Sequence, residues 1–169
     1  MDTDESAARY HMRRADRAIE DAAAIDTILA EGRFATIALA REGEPYLVTL
    51  SYGFDPVRRA MYFHAAHEGL KHEFMRANPS VCATVVVDGG YRTGECAHEY
   101  RSVVIRGTMT EVGDMEESRH GMHVLLGQLE SEADGDRLWD LHALGKDTVW
   151  GRLAVLRLDI LEISGKQGS

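Results

Sequence analysis

The sequence has little of what a disulfide-stabilised, membrane-bound or zinc-binding protein requires. It contains only two cysteines, Cys82 and Cys96, which are not spaced as a CxxC pair, so we predict neither a disulfide framework nor a zinc site. No apolar run is long enough to cross a bilayer, and the polar N-terminus lacks the pattern of a signal peptide. We therefore expect a cytoplasmic protein with no membrane partner.

Positive charge is scarce as well, since 19 lysines and arginines stand against 28 acidic residues and give a net charge of −9. Nucleic acids and anionic membranes bind basic surfaces, so the charge balance argues against both as partners. Much of the acidic excess lies between Asp114 and Asp140, where it is typical of a solvated helix surface. The stretch from Met61 to Arg76 is comparatively basic and remains compatible with a small anionic ligand.

Short β-strand patterns, by contrast, occur along most of the chain. Its 169 residues suit a single domain, 1–169, with an extended N-terminal arm at 1–15 and a first helix at 16–30. Alternating or β-branched segments predict six strands, at 34–40, 46–54, 60–64, 81–87, 100–112 and 153–163. Further helices are predicted at 69–77, 114–126 and 134–144, and a glycine-containing loop at 88–98. Most connections are too short for parallel crossovers, so we predict a mainly β fold, a closed or partly closed antiparallel barrel with peripheral helices.

One segment carries a pattern typical of an anion site. A strand ends at His64, the small residues Ala65 and Ala66 follow, and a helix begins near Gly69 with Lys71 in its first turn. Free backbone N–H groups and the positive end of the helix dipole meet there, so a lysine is unfavourable unless an anion compensates both. Phosphate is the natural candidate. A solvated surface lysine explains the same pattern, and the residues alone leave both interpretations open.

The histidines near this segment do not form a metal-binding pattern. His64, His67 and His72 combine a strand end with a helix turn, and no carboxylate pattern completes a ligand set, so no metal site is predicted. His120 and His123 lie one helical turn apart, and we expect both on the surface.

Four motifs occur in order along the chain: Glu-Pro-Tyr-Leu-Val-Thr-Leu at 44–50, Met-Tyr-Phe-His at 61–64, Glu-Gly-Leu-Lys at 68–71 and Asn-Pro at 78–79. Together they resemble the pyridoxamine 5′-phosphate oxidase-like proteins, and within them the flavin-nucleotide-binding proteins related to nitroimidazole reductases. The resemblance implies a six-stranded antiparallel FMN-binding split β-barrel. It also implies a homodimer with FMN at the subunit interface, serving a small-molecule electron acceptor with reduced nicotinamide or another donor.

The resemblance further implies which residues hold the cofactor. Lys71 matches the lysine that binds the FMN phosphate in the oxidases, whereas Gly69 and Leu70 stand where the oxidases have a serine and an arginine. We assign the catalytic role to His64, because a histidine in the same Tyr-Phe-His context lies beside the cofactor in related nitroimidazole reductases. The expected cofactor-binding residues are Val48, Thr49, Leu50, Ser51, Phe63, His64, Ala65, Gly69, Lys71 and Ser102.

The C-terminal region departs from the true oxidases. Their C-terminal tryptophan and arginine have no counterpart, since Trp150 and Arg152 are too close together to match that spacing. The leading hypothesis is therefore an FMN-dependent, nitroreductase-like oxidoreductase rather than a pyridoxamine phosphate oxidase. A haem-binding or haem-handling protein on the same barrel and a flavin-binding module without turnover are the alternatives, and a deazaflavin cofactor is also open. The lack of an obvious nucleophile does not argue against an enzyme, because flavin chemistry resides largely in the cofactor.

Overall fold

Eight β-strands and four α-helices form the computed structural model over residues 12–168, the part of the chain that it describes. The strands are β1 (Ala18–Ile19), β2 (Phe34–Arg41), β3 (Glu44–Ser51), β4 (Gly53–Asp55), β5 (Ala60–Ala65), β6 (Ser80–Arg92), β7 (Ala97–Glu111) and β8 (Ala154–Gly168). The helices are α1 (Ala22–Glu31), α2 (Leu70–Ala77), α3 (Met115–Leu129) and α4 (Glu132–Leu141). Two short 3-10 turns, Ala15–Arg17 and Asp147–Gly151, come before β1 and β8. Most of the predicted N-terminal arm, residues 1–11, lies outside the described residues.

All strand pairs are antiparallel, and the sheet runs in the order β3-β2-β6-β7-β8-β5-β4, with β1 added to β8. β3 and β4 therefore lie at opposite ends of the sheet, although only Tyr52 separates them in the chain. A chain that passes from one end of a sheet to the other within one residue forces the sheet to curl. The two ends approach each other without pairing among the described residues, which gives an open barrel. The predicted fold class, mainly β and antiparallel with peripheral helices, is confirmed.

The prediction of one strand over 46–54 is wrong, because the chain breaks into β3 and β4 at Tyr52. This tyrosine is fully buried, and its hydroxyl donates a hydrogen bond of 2.6 Å to the carbonyl oxygen of Leu29 at the end of α1. Burying the ring and its hydroxyl inside the barrel turns the chain from one sheet edge to the other. Together with the two-residue strand β1, this break raises the strand count from the predicted six to eight.

Two further boundaries differ from the sequence prediction. The helix predicted at 16–30 begins only at Ala22, since the side chain of Asp21 caps it by accepting from the N–H of Ala23 at 3.0 Å. The segment predicted as a loop at 88–98 is mostly strand, because β6 continues to Arg92 and β7 starts at Ala97 as an extended hairpin. Ala18 and Ile19 pair with β8 instead of extending the helix, and strand pairing also overrides the polar, glycine-rich pattern at 88–98.

β5 lies between two hydrophobic clusters and is buried on both faces. Met61 and Phe63 point into the barrel, while Ala60 and Tyr62 pack against α3. The barrel cluster contains the largest fully buried side chains, among them Ile28, Leu29, Ile37, Tyr52, Phe63, Phe74, Ile105, Met109, Leu156 and Leu158. The second cluster consists of Ala60, Tyr62, Met122, Leu125, Leu144 and Val155. α3 is thus attached to the outside of the barrel by its own core.

Glycines allow α3 to approach this side of the barrel closely. A Cβ atom on Gly53 would lie 2.5 Å from backbone atoms of Leu125, and one on Gly121 would lie 2.6 Å from the ring of Tyr62. Such distances are too short for a side chain, so the packing requires glycine at both positions. Within residues 12–168, no helix has the length and apolar character needed to cross a membrane.

Candidate functional site

A largely apolar cavity of about 480 Å³ lies between the end of β3, the end of β5 and the helices α3 and α4. Leucine, methionine and valine side chains of α3, α4 and the segment after α4 form most of its wall. The polar and charged residues that line it are Ser51, His64, Glu130, His142 and Arg152. A cavity of this kind suits a small ring-containing molecule, because a few polar groups can orient a mainly apolar ligand.

His64 reaches the cavity because β5 alternates its side chains between two faces. Phe63 points into the barrel core, whereas the side chain of His64 is accessible from the cavity. The apolar surroundings lower the pKa of His64 below its ordinary value, and the neighbouring His142 lowers it further. His64 is therefore a neutral imidazole at neutral pH, with one nitrogen that donates a hydrogen bond and one that accepts.

β3 brings its outward side chains and a free backbone edge to the mouth of the cavity. Val48 and Leu50 pack towards the barrel core, whereas Thr49 and Ser51 are exposed on the outer face. Thr49 Oγ1 lies 3.0 Å from Thr36 Oγ1 on β2, so these two hydroxyls share a hydrogen bond. Among the described residues β3 pairs only with β2, which leaves the N–H and C=O groups on its other edge free for a ligand.

The entry to α2 has the features of an anion site. Gly69 is its N-cap residue, with φ 125°, a conformation that favours glycine, and no side chain caps the helix there. The N–H groups of Leu70 and Lys71 have no acceptor among the described residues, whereas that of His72 donates to the carbonyl oxygen of Gly69 at 2.9 Å. The small residues Ala65 and Ala66 precede this turn in the chain. Lys71 is half-buried in this turn and makes no ion pair or hydrogen bond with any residue of 12–168. The helix dipole disfavours a lysine at a helix start by some tenths of a kcal/mol, and a bound anion would reverse this effect.

A family model for pyridoxamine 5′-phosphate oxidase matches residues 21–167. The chain belongs to this family. The predicted resemblance is thereby confirmed, and it extends well beyond the motifs at 44–79 that suggested it. No curated protein sequence matches the chain.

Solved structures of other proteins share the split-barrel fold. A candidate 5-nitroimidazole antibiotic resistance protein from Bacteroides thetaiotaomicron is 23% identical, with 89% of this chain and 86% of that chain covered and a TM-score of 0.72. An FAD-binding protein from Mesorhizobium loti is 27% identical, with 90% and 96% covered and a TM-score of 0.60. A flavocytochrome from Azotobacter vinelandii is 18% identical, with 94% and 72% covered and a TM-score of 0.74.

Two of the cofactor-binding residues expected from the pyridoxamine 5′-phosphate oxidase family, Ser102 and Phe63, lie apart from the others within one chain. Ser102 lies on β7, three strands away from β3, which corresponds to roughly 14 Å at the usual strand spacing. Its hydroxyl points towards the carbonyl oxygen of Lys166 at 3.5 Å. Phe63 is fully buried in the barrel core and pairs with Leu156 of β8, so it does not line the cavity. Ser51 and His64, by contrast, line the same cavity.

Several cavity residues of this family member are absent from the sequence prediction. His142 and Arg152 belong to the segment that follows α4, and Glu130 is the C-cap of α3. Arg152 makes no ion pair with another described residue, so its guanidinium is available to a ligand. The one sequence signal for this cavity is the wide apolar stripe of α3, with leucine and methionine at helical spacing. This pattern predicts that the face is buried, but it does not indicate which part of the chain packs against it.

The two histidines of α3, His120 and His123, both make contacts with neighbouring elements. His120 Nε2 lies 2.7 Å from Asp55 Oδ2, and its ring meets Tyr62 edge-on at 5.6 Å, so the expectation of a simple surface position is wrong. His123 is exposed but stacks on Trp139 with ring centroids 3.8 Å apart. Both contacts hold α3 to its neighbours and lie outside the cavity.

Proposed function

We propose that the protein is an FMN-dependent oxidoreductase of nitroreductase-like activity, acting on a small ring-containing acceptor. The observation that carries the proposal is that Ser51, at the end of the free edge of β3, and His64 line one apolar cavity. Family membership supports it, and so does the 27% identity to an FAD-binding protein from Mesorhizobium loti.

The residues present fit a flavin nucleotide. The first turn of α2 has no side-chain cap, and Lys71 makes no ion pair with another described residue, so both suit a phosphate. The edge of β3 that pairs with no described strand offers alternating donors and acceptors to a planar heterocycle. The apolar cavity beside them suits the acceptor. When bound, FMN would supply the electron transfer itself.

The chain's own residues would bind, orient and shield. Lys71 and the first-turn N–H groups of α2 would hold the phosphate, and the backbone of 48–51 would orient the ring. The apolar wall of α3 and α4 would exclude water from the cavity. His64 would present a ring N–H to the acceptor, because its lowered pKa keeps it neutral at neutral pH.

The absorbance spectrum of the purified protein, followed by mass spectrometry of the released ligand, tests the proposal. We expect an absorbance band near ~450 nm, because a bound flavin keeps its own characteristic absorption. The released ligand should have the mass of FMN, because the proposed site holds one phosphate. A released ligand with the mass of FAD would mean that the cofactor is FAD and not FMN. A protein that binds no flavin on reconstitution would contradict the proposed function.

Replacing His64 with alanine should lower turnover more than it lowers FMN affinity. The lost hydrogen bond to the acceptor is worth about 1 kcal/mol, so we expect turnover per bound FMN to fall about fivefold. Steady-state rates with a nitroaromatic acceptor measure this effect. His98→Ala, in the exposed hairpin between β6 and β7, is the control and should leave turnover unchanged. A change in melting temperature without a change in turnover would make His64 a structural residue.

Haem binding is the second candidate function, and one observation favours it. His64 and His142 line the same apolar cavity, and Arg152 lies there as a cation that makes no ion pair with another described residue. An imidazole ligand, an apolar wall and an arginine for a carboxylate are the groups that a haem needs. The same absorbance spectrum distinguishes the two, since a haem protein has a Soret band near ~400 nm.

We also propose that a second copy of the chain covers the outer face of β3, β2, β6 and β7. Four large apolar side chains on this face are exposed: Phe34 (59%), Leu47 (64%), Val86 (53%) and Val104 (40%). Strand register places all four on one face of the sheet, because Leu47 pairs with Ala38, Phe34 with Ser51, Val86 with Ser102 and Val104 with Thr84. A patch of this kind is unusual on a monomer. It adjoins Thr49 and Ser51, so a homodimer formed here would place the flavin beside the interface.

Light scattering at micromolar concentration should therefore give twice the 18.8 kDa chain mass. Val104→Glu should shift the protein towards the monomer, because it places a charge within the patch that the dimer would bury. Val57→Glu is the matched control, since Val57 is 91% exposed in the turn between β4 and β5, away from this face. A flavin-loaded wild-type monomer would contradict the proposed dimer.

A further inference from the structure

A single carboxylate bridges two histidines beside the entry to α2. Glu111, the last residue of β7, places Oε1 2.8 Å from His67 Nδ1 and Oε2 3.3 Å from His72 Nδ1. The other nitrogen of each ring faces a backbone carbonyl, with His67 Nε2 3.0 Å from Trp150 O and His72 Nε2 2.6 Å from Ala66 O. The contact between Glu111 and His72 Nδ1 is too poorly aligned for a hydrogen bond, so His67 is the hydrogen-bonded partner of the carboxylate.

We propose that Glu111 and His67 are positioning residues for the flavin phosphate, and that they strengthen its binding at pH values where His67 is protonated. This inference rests on the proposed function. It assigns a role to groups that are not among the residues lining the cavity.

The contacts of Glu111 with His67 and His72 hold the chain in place on both sides of the proposed anion site. His67 precedes Gly69 and Lys71, and His72 follows them in the first turn of α2. Glu111 holds both histidines against the end of β7, so the left-handed conformation at Gly69 and the direction of the first-turn N–H groups are set from outside the site. A site whose donors are held in place before binding loses less entropy when the anion arrives.

The same contacts connect the anion site to the cavity. Trp150, whose carbonyl accepts from His67, belongs to the 3-10 turn at 147–151. Val149, directly before Trp150, and Arg152, two residues after it, line the cavity. A shift of His67 would therefore displace the cavity wall as well as the entry to α2.

Hydrogen bonding indicates the charge of His67. An imidazole donates from both nitrogens only when it is protonated, and both nitrogens of His67 face acceptors, a carboxylate and a carbonyl. The bond to Glu111 raises the pKa of His67 above its ordinary value, and the carbonyl of Trp150 contributes further. Among described residues, Glu111 on β7 is the charged group in contact with it, and His72 faces the same carboxylate from α2. Glu68 and Lys71 are near it in the chain and make no ion pair or hydrogen bond with it.

The sign of the pH effect follows from this pair. Protonated His67 neutralises Glu111, whereas neutral His67 leaves a bare carboxylate beside the phosphate. Because the pKa of His67 is raised by folding, its favourable contribution is fully present below the ordinary value of histidine and is lost as the pH rises through the raised one. FMN should therefore bind more weakly at high pH, and riboflavin, which has no phosphate, should not respond.

Titration of the flavin-free protein with FMN and with riboflavin between about pH 6 and about pH 9 tests the proposal. The FMN phosphate itself gains charge over this range, so each variant is compared with the wild type. We expect the ratio of FMN affinities, wild type over His67→Gln, to fall by about threefold to tenfold from the lower to the higher pH. Glu111→Gln should move the pH dependence of the wild type to lower pH, because it removes the carboxylate that raises the pKa of His67.

The matched control is His98→Gln, which breaks an exposed histidine–carboxylate pair with Asp88 of 2.7 Å, in the hairpin far from α2. Its pH profile should follow the wild type. Wild-type and His67→Gln profiles that run in parallel would overturn this inference while FMN binding itself stands. A wild type that binds no FMN at any pH would instead overturn the proposed function. If Glu111→Gln fails to fold, His67→Gln at a partly exposed position still decides the outcome.

Discussion

Lys71→Ala should weaken FMN binding by about ten- to a hundredfold, as a charge-assisted contact worth roughly 1.5–3 kcal/mol is lost. Lys71 is half-buried at the start of α2 and makes no ion pair or hydrogen bond with a described residue. Without an anion the helix dipole repels it, at a cost of some tenths of a kcal/mol. A dianionic phosphate at the uncapped first turn would reverse that repulsion. We therefore expect Lys71 to contribute a large part of the free energy of FMN binding.

Riboflavin separates this effect from damage to the fold, because it lacks the phosphate and should bind the Lys71→Ala protein as it binds the wild type. Lys71→Arg should retain part of the affinity, since arginine keeps the charge but not the compact geometry of the ammonium group. Lys146→Ala, at an exposed position, is the matched control for the loss of one positive charge. Equal losses of FMN and riboflavin affinity would assign Lys71 to the fold, and an unchanged FMN affinity would place the phosphate elsewhere.

The entry to α2 could be predicted from sequence because its signals are local. A strand end, small residues, Gly69 and the Asn78-Pro79 stop all lie within a short segment, and the helix predicted at 69–77 is observed as Leu70–Ala77. The break at Tyr52 had no such signal. Tyr52 fits an alternating strand pattern as well as its neighbours do. The chain turns there because the tyrosine is buried against Leu29 of α1, a contact that the local sequence does not indicate.

The cavity could not be predicted because its walls come from distant parts of the chain. Ser51 and His64 lie on strands, whereas His142 and Arg152 follow helix α4 and meet them only after α3 has packed onto β5. His120 shows the same limit, because its partner Asp55 is 65 residues away and nothing near either residue indicates the pair. Periodicity predicts that a face is buried, but the partner of that face depends on tertiary packing.

The position of α3 leads to the second large expected effect. Gly53→Ala should lower the free energy of unfolding by about 3 kcal/mol, at the upper end of what overpacking costs. The added Cβ would lie 2.5 Å from backbone atoms of Leu125, and backbone cannot move aside as a side chain can. α3 would have to shift away from β4 as a whole. For a chain of this size the melting temperature should fall by about 6 to 12 °C, measured on the flavin-free protein.

Three glycines make a graded series that tests this reasoning. Gly121→Ala should cost less than Gly53→Ala, because its Cβ would meet the ring of Tyr62 at 2.6 Å, and a ring can tilt where backbone cannot. Gly127→Ala, on the same helix with no atom within 4 Å of the added Cβ, should stabilise the protein by about 0.5–1 kcal/mol through helix propensity alone. The expected order of melting temperatures is therefore Gly53→Ala below Gly121→Ala, then wild type, then Gly127→Ala. A Gly53→Ala protein as stable as the wild type would mean that α3 does not pack directly on β4. The cavity wall that α3 provides beside His64 would then need another explanation.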